Sequence, residues 1–231
     1  MKLIEWISNS LPNSRTKQIL RKLFYGVIFS IPFKNYQFRL LDQVNAKFKR
    51  FLFCRITEPD FELKGYIKYF DIQEGDVIID AGSFPGEFTI YASKKVGERG
   101  KIIAFEPDEF NFKVLLMNIK INNLDNVIPL KKGIWSKDIP QDKRVSLDNE
   151  LGRLGIKKVD FIKMDIEGTE IEAIKGARKT LMGNKVDLAI ASYHVVQGRK
   201  TYTLLEKMLK DMGFKVKTDY PTHLTTYASK N

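Results

Sequence analysis

Cysteine and histidine are scarce in this chain of 231 residues, which has one cysteine, Cys54, and two histidines. A single cysteine excludes an intramolecular disulfide and a Cys-rich zinc site, and it is typical of a protein from a reducing compartment. Two histidines do not suggest a His-based metal cluster, so we predict no bound metal, although carboxylates could still hold magnesium. We expect a cytoplasmic protein.

Long apolar runs are also missing. The longest run in the first quarter of the chain, residues 23–33, is far shorter than the roughly 20 residues that a bilayer-spanning helix needs. A signal peptide is not expected either, because basic residues flank this run on both sides and no small-residue cleavage site follows it. Apolar residues make up 43% of the chain and charged residues 29%, a balance that is typical of a folded globular protein.

Positive charge is concentrated in the front quarter. The net charge is +11 at pH 7, and residues 1–55 hold eleven Lys or Arg against two acidic residues, whereas the rest of the chain holds 28 against 26. Apolar residues recur there every three or four positions, which predicts helices separated by Pro12 and Pro32. Two interpretations stay open: a helical cap packed on the main domain, or a peripheral membrane contact in which basic side chains meet anionic lipid. We predict a basic helical cap segment at residues 1–63 and a main domain at 64–231.

From about residue 64, short apolar runs alternate with helical stretches, a pattern that predicts βα units and a parallel sheet. The last two predicted strands are joined too closely for a helical crossover, so they should pair antiparallel at the sheet edge. We predict an α/β fold with a doubly wound, mostly parallel seven-stranded sheet and an antiparallel edge strand, preceded by the helical N-terminal segment. The predicted strands are Val77–Ala81, Lys101–Glu106, Val127–Leu130, Val159–Asp165, Leu188–Ser192, Phe214–Lys217 and Leu224–Ala228. The clearest predicted helix is Glu109–Leu124; a second begins with a Thr169/Glu172 capping box, and a last one lies near Thr201–Met212.

A glycine-containing loop, Asp80–Gly86, joins the first strand to its helix. Gly82 and Gly86 allow a tight turn and let a ligand lie against main-chain N–H groups without meeting a Cβ. A glycine pair alone also fits a turn that binds nothing. The loop lacks the G-x-G-x-x-G order of a dinucleotide site, and Asp80 would repel a pyrophosphate.

Glu106 strengthens the case for a ligand, because it ends the second strand twenty residues beyond Gly86. A carboxylate at that position can accept hydrogen bonds from both hydroxyls of a ribose. A cofactor with a ribose and a cationic, amino-acid-like end fits these charges, and S-adenosyl-L-methionine is such a molecule. Asp80 would attract its ammonium or sulfonium region, while Glu106 holds the ribose.

Four motifs spread over residues 64–192 now point to one family: Gly75–Gly82, Phe105-Glu106-Pro107 with Asn118 and Asn122 behind it, Val145–Asp148, and Lys163–Glu170. With them the chain resembles the FkbM-type family of S-adenosylmethionine-dependent methyltransferases, which have the Rossmann-like methyltransferase fold. The resemblance implies cofactor binding by Asp80, Gly82, Gly86 and Glu106, and O-methylation as the reaction. One departure is Ser83-Phe84-Pro85, since the family loop carries small or Asn residues and Pro85 has no N–H to donate.

Further cofactor contacts are predicted from the neighbouring loops. They are Ser83 and Phe84 beside the glycine turn, Pro107 beside Glu106, and Trp135 after the third strand. The indole of Trp135 could stack on adenine, or it could simply pack under its loop.

Candidate catalytic residues lie at the ends of the fourth and fifth strands: Asp165, Glu167 and His194. A carboxylate or an imidazole can accept the proton of an acceptor hydroxyl, which makes the oxygen a better nucleophile. Structural interpretations compete with this one. Asp165 could pair with Lys163, Glu167 could favour a helix N-terminus through the helix dipole, and His194 could be merely hydrogen-bonded.

The resulting hypothesis is a methyltransferase that O-methylates a hydroxyl of a sugar, a glycolipid or a related metabolite, the acceptor class being implied by the family. One alternative is an RNA or DNA methyltransferase that grips phosphates with the basic segment. Its disadvantage is that Met164–Gly168 is not the Asn/Asp-Pro-Pro-aromatic loop of amino-methylating nucleic-acid enzymes. The other alternative is a non-catalytic module that binds S-adenosylmethionine. The sequence does not indicate an oligomeric state.

Overall fold

A computed structural model describes residues 61–196, 198–220 and 223–230. The predicted helices of residues 1–55 and Cys54 lie outside the described residues. A short helix, α1, covers Phe61–Tyr66 and so runs across the predicted boundary between residues 63 and 64. The division into a cap segment and a main domain stays a prediction.

The described elements alternate between strands and helices through most of the chain, as the sequence predicts. After α1 they are, in chain order, β1 (Val77–Ala81), α2 (Glu87–Val96), β2 (Lys101–Phe105), α3 (Glu109–Ile121), β3 (Val127–Leu130), β4 (Gly133–Ile134), β5 (Arg144–Val145), α4 (Leu147–Arg153), β6 (Phe161–Met164), α5 (Glu170–Gly176), α6 (Arg178–Gly183), β7 (Asp187–Ala191), β8 (Val195–Val196), β9 (Arg199–Lys200), α7 (Tyr202–Asp211), β10 (Lys215–Asp219) and β11 (Thr225–Ser229).

Seven strands form the main sheet in the order β10-β11-β7-β6-β1-β2-β3. Strands β1, β2, β3, β6 and β7 run parallel to one another, while β11 runs antiparallel to both β7 and β10. The predicted fold class is therefore confirmed. The antiparallel pair lies at the sheet edge, and the reversed strand of that pair is the inner one.

The boundaries differ from the predicted ones in ways that have local causes. Strand β6 ends at Met164, although the N–H of Asp165 still donates to the carbonyl of Ala81 at 3.0 Å. The two-residue ladders β4–β5 and β8–β9 were not predicted, because elements that short carry no periodicity.

The predicted capping box at the start of α5 is wrong. Thr169 occupies the N-cap position, but its side chain caps no amide of the helix. Its hydroxyl donates instead to the carbonyl of Ile166 at 2.9 Å. Glu172 pairs with Lys175 one turn further on and does not reach back to the N-cap.

The hydrophobic core lies around the central strands, where buried runs replace the alternation of a half-exposed sheet, as expected for parallel strands covered on both faces. Helices α5 and α7 contribute Ala173, Ile174, Leu205 and Leu209 to the same apolar cluster. No helix in the described part of the chain has the length and apolar character that crossing a bilayer would require.

Gly176, the last residue of α5, lies against the loop after β4. A Cβ added there would lie 1.9 Å from the carbonyl oxygen of Trp135. Both groups belong to backbone, so neither can swing away, and we expect Gly176→Ala to destabilise the fold by about 1–3 kcal/mol, the usual cost of overpacking.

Gly152→Ala in α4 is the matched control, because a Cβ there meets nothing within 4 Å. Alanine is the better helix former, so this variant should gain roughly 0.5–1 kcal/mol. Equilibrium unfolding in urea compares the two variants. Equal midpoints would show that α5 and the loop are not packed as described.

Candidate active site

Strands β2, β1 and β6 are adjacent and parallel, so the loops that follow them meet at one edge of the sheet. A cavity of about 540 Å³ opens there, within the size range of small-molecule sites. Gly86 and His194 are not among the described residues that line it. The predicted site residues that do line it are Asp80, Gly82, Ser83, Phe84, Glu106, Pro107, Trp135, Asp165 and Glu167.

The turn after β1 depends on Gly82. This residue has φ +78°, and a Cβ on it would lie 1.8 Å from the carbonyl oxygen of Asp165. The absence of a side chain therefore lets the loop after β1 lie directly against the end of β6. The N–H groups of Gly82 and Ser83 both donate to the carbonyl of Phe105, at 3.0 and 3.1 Å. These two amides fasten the turn to β2 and are not available to a ligand.

Gly86 lies at the start of helix α2. It is the N-cap of α2 with φ +112°, and a Cβ there would lie 3.3 Å from Leu115 and 3.5 Å from Asn118. The amide of Asn118 in turn donates to the carbonyl of Pro85 at 2.7 Å. Gly86 thus permits close packing of the loop on α3, and its direct contact with a cofactor stays a prediction.

Asp80 and Lys163 form a buried ion pair across β1 and β6. The two side chains are 3.1 Å apart at Oδ1 and Nζ, and Lys163 also donates to the carbonyl of Gly82 at 2.7 Å. The other carboxylate oxygen of Asp80 accepts a hydrogen bond from Thr89 at 2.5 Å. The structural alternative in which Asp165 pairs with Lys163 is therefore wrong. Because Lys163 already matches its charge, attraction of a cationic cofactor by Asp80 stays a prediction.

Glu106 faces the same cavity from the end of β2 and is only 5% exposed. Burial raises the pKa of Glu106, and hydrogen bonds from Asp108, Asn111 and Phe84 oppose that rise by stabilising the carboxylate. The backbone N–H of Asp108 lies 3.0 Å from Oε1. The carboxylate is thus held in place beside the cavity, where it can accept further hydrogen bonds.

Trp135 lines the cavity beyond Glu106. Its backbone N–H donates to the carbonyl of Val145 at 2.8 Å, which joins the β4 and β5 segments. The guanidinium of Arg144 lies 4.6 Å from the centre of the indole ring. This cation–π contact orients the ring. Trp135 and Pro107 both line the cavity and offer apolar surface to a planar ligand.

Asp165 marks the opposite side of the cavity. Its Oδ2 accepts a hydrogen bond from the hydroxyl of Tyr66 at 2.9 Å, and its Oδ1 lies 3.8 Å from Nε2 of His194. Glu167 brings Oε2 within 3.6 Å of the same nitrogen, although its side chain is 87% exposed. The structure therefore brings the three predicted catalytic residues together.

Sequence reasoning missed Glu170 as a site residue. This carboxylate is fully buried, and its Oε1 accepts from the backbone N–H groups of Ile166 at 3.3 Å and Gly168 at 3.1 Å. The same oxygen lies 3.0 Å from Nδ1 of His194. A glutamate in the first turn of a helix is sufficiently explained by the helix dipole, so nothing in the spacing indicates a role beyond it.

The carboxylates change the acid strength of the imidazole. Burial lowers the pKa of His194, but contact with Glu170 and the charges of Glu170, Asp165 and Glu167 outweigh burial and raise it above its ordinary value. Atoms of Asp165, Glu170 and His194 lie within 4.8 Å of one another, a spacing that would also admit one cation. That no metal binds stays a prediction.

Part of the chain matches a known protein family. Residues 135–216 match the family model of the methyltransferase FkbM domain. The resemblance to the FkbM-type methyltransferases is confirmed. The FkbM match begins at Trp135 and contains the motif Lys163–Glu170, whereas Gly82 and Glu106 lie ahead of it.

The curated relatives that this chain matches are distant methyltransferases. Methyltransferase sdnD of Sordaria araneosa is 24% identical, over 62% of this chain and 74% of its own length. The tRNA (adenine(57)-N(1)/adenine(58)-N(1))-methyltransferase TrmI of Methanocaldococcus jannaschii is 28% identical, over 62% of this chain and 52% of its own length.

Solved structures show the same fold. Methyltransferase FkbM from Methylobacillus flagellatus KT superposes with a TM-score of 0.61 at 22% identity, over 74% of this chain and 48% of its own. Fibrillarin of Aeropyrum pernix, solved with natively bound S-adenosyl-L-methionine, reaches 0.52 at 21% identity, over 72% of this chain and 71% of its own. The chain thus has the Rossmann-like methyltransferase fold. It spans about half the length of TrmI and of the Methylobacillus protein.

The buried pair generates a prediction about stability. Lys163→Met would leave the carboxylate of Asp80 buried without its cation, which typically costs about 3–5 kcal/mol. The double variant Asp80→Asn/Lys163→Met removes both charges and should be more stable than Lys163→Met alone. Denaturant unfolding of the wild type, Asp80→Asn, Lys163→Met and the double variant forms a double-mutant cycle. Additive losses would contradict the pairing.

Proposed function

We propose that this chain is a methyltransferase that binds S-adenosylmethionine and transfers its methyl group to a hydroxyl of a sugar, a glycolipid or a related metabolite. One observation carries the proposal: the buried carboxylate of Glu106 and the Gly82 turn share a cavity with Asp165, at the carboxyl ends of adjacent parallel strands. The FkbM match supports the reaction class, and fibrillarin with its bound cofactor supports the same use of the fold.

The cavity residues fit the chemistry of this cofactor. Glu106 offers a carboxylate to the two ribose hydroxyls, while Pro107 and Trp135 offer apolar surface to the adenine. Asp80 lies on the same cavity and would draw the cationic amino-acid end towards β1, with Lys163 balancing the local charge. When bound, S-adenosylmethionine supplies a methyl group on a positively charged sulfur.

The residues on the other side of the cavity would receive the acceptor. Asp165 and Nε2 of His194 form a pair of proton acceptors, and Glu167 lies at its exposed rim. Such a pair can orient a hydroxyl and take its proton as the oxygen attacks. Holding the reacting atoms in line would supply much of the rate enhancement, since positioning alone can contribute about 7–11 kcal/mol.

A nucleic-acid acceptor is the second candidate. The likeness to TrmI and the excess of basic residues in positions 1–55 favour it. The loop Met164–Gly168 argues against it, because it lacks the residues with which amino-methylating nucleic-acid enzymes stack a flipped base. A cytoplasmic location, a peripheral membrane contact through residues 1–55 and a non-catalytic binding role also stay open.

Cofactor binding tests the assignment of Glu106. We expect Glu106→Gln to weaken binding of S-adenosylmethionine by about 10- to 100-fold, because a hydrogen bond to a charged group contributes roughly 1.5–3 kcal/mol. Glu109→Gln is the matched control, since Glu109 is exposed on α3 and pairs with Lys113 and Lys131 away from the cavity. Titration calorimetry measures both. Unchanged affinity in Glu106→Gln would remove the ribose site from this cavity.

Methyl transfer tests the role of Asp165. Asp165→Asn should keep cofactor affinity and lower the transfer rate by about 10²- to 10⁴-fold, the usual contribution of a proton acceptor. The assay follows radiolabelled methyl groups from S-adenosylmethionine into cell extract separated into polar, lipid and nucleic-acid fractions.

The control for that assay is Asp125→Asn, a change of an exposed aspartate in the turn before β3. Label in the nucleic-acid fraction would favour the second candidate. Cofactor binding by the wild-type protein without label in any fraction would favour the non-catalytic module.

A further inference from the structure

We propose that Glu170 is a positioning residue that fixes the imidazole of His194 with its Nδ1–H towards Glu170, leaving Nε2 free to take the proton of the acceptor hydroxyl. The last clause rests on the proposed function, whereas the arrangement of the two side chains does not. Glu170 would act through His194 and need not touch the substrate.

Burial and two hydrogen bonds hold the side chain of Glu170 in place. It begins α5 and is fully buried, and Oε1 accepts two amide hydrogen bonds from the loop after β6. Those amides belong to Ile166 and Gly168, on either side of Glu167. The carboxylate therefore keeps one place relative to the loop that carries Asp165 and Glu167.

His194 is placed between this carboxylate and the cavity rim. Its side chain is 11% exposed, Nδ1 lies 3.0 Å from Glu170, and Nε2 lies 3.6–3.8 Å from Glu167 and Asp165. In a neutral imidazole only one nitrogen carries the proton, and the partner of one nitrogen decides which. Glu170 is the nearest of the three carboxylates and is buried, so it favours the proton on Nδ1 and leaves the lone pair of Nε2 on the side of Asp165 and Glu167.

The charges around His194 also suit a residue that gains a proton during the reaction. Asp165 and Glu167 face it from the loop after β6, and Glu170 faces it from the first position of α5; all three carboxylates would stabilise the imidazolium. The ring of Tyr193 lies 4.1 Å from that of His194, centre to centre, and it also contacts the ring of His223. A positive charge on one of the two histidines disfavours a charge on the other. Removing the charge of Glu170 should therefore lower the pKa of His194.

A purely structural role for Glu170 makes a different prediction. If Glu170 served only to accept the two loop amides, Glu170→Gln would keep an oxygen for them and leave the imidazole unaffected. If it positions His194, the same change removes the charge and gives Nδ1 a weaker acceptor. The state of the imidazole separates the two roles.

The two histidines of the chain make this state measurable by NMR. In protein labelled with [¹⁵N]histidine, the His223→Asn variant assigns the imidazole signals. The wild type should show His194 with its proton on Nδ1. In Glu170→Gln the pKa of His194 should fall and the preference for Nδ1–H should weaken, while the signals of His223 persist as evidence of folding. Glu172→Gln, the same change two residues along α5, is the control and should leave His194 unaltered.

Three outcomes of the NMR experiment would overturn the proposal. One is a wild-type His194 with its proton on Nε2, a result that needs no change at Glu170. Another is an unaltered His194 in a folded Glu170→Gln protein. The third is a shift of the His194 signals on adding a chelator, which would assign Asp165, Glu170 and His194 to a bound cation.

Kinetics connect the arrangement to turnover. Glu170→Gln should lower kcat about tenfold or more, with cofactor affinity unchanged and the pH profile moved towards lower pH, because the base then loses its proton at lower pH. An unaltered kcat would also overturn the positioning role. The NMR result needs neither cofactor nor acceptor, so it would stand even if the methyltransferase proposal failed. Failure of the methyltransferase proposal would be recognised separately, by the absence of cofactor binding.

Discussion

The buried ion pair between Asp80 and Lys163 joins the two strands on which the site depends. The register of β1 and β6 places the two residues side by side, and Nζ of Lys163 also bonds the carbonyl of Gly82. Desolvation offsets much of the attraction in such a pair, so its main effect is to fix geometry. With it, the glycine turn after β1 and the acidic loop after β6 have one relative position.

The candidate site residues fall into two groups on either side of the contact between β1 and β6. The loops after β1 and β2 carry Gly82 and Glu106 and suit a nucleoside, while the segments after β6 and β7 carry Asp165 and His194 and suit an acceptor. The close approach of Gly82 to the carbonyl of Asp165 leaves no space for a side chain between the two halves.

Much of this arrangement could be predicted from the sequence. Alternating apolar runs indicated seven strands, and the rule that parallel strands place their carboxyl ends together brought Glu106 to Gly82. Contacts that depend on tertiary packing could not be predicted from the sequence. Tyr66 donates a hydrogen bond to Asp165, 99 positions away, and Lys163 pairs with Asp80 and not with Asp165 because the strand register places Asp80 beside it. The capping box failed because the hydroxyl of Thr169 turns back to Ile166.

The most direct test of the account is a crystal structure of the full chain with S-adenosylhomocysteine. The account predicts the nucleoside in the cavity between the loops after β1 and β2, with both ribose hydroxyls within hydrogen-bond distance of the Glu106 carboxylate and the sulfur on the side of Asp165. A nucleoside bound elsewhere, or one in this cavity with Glu106 out of contact, would contradict it.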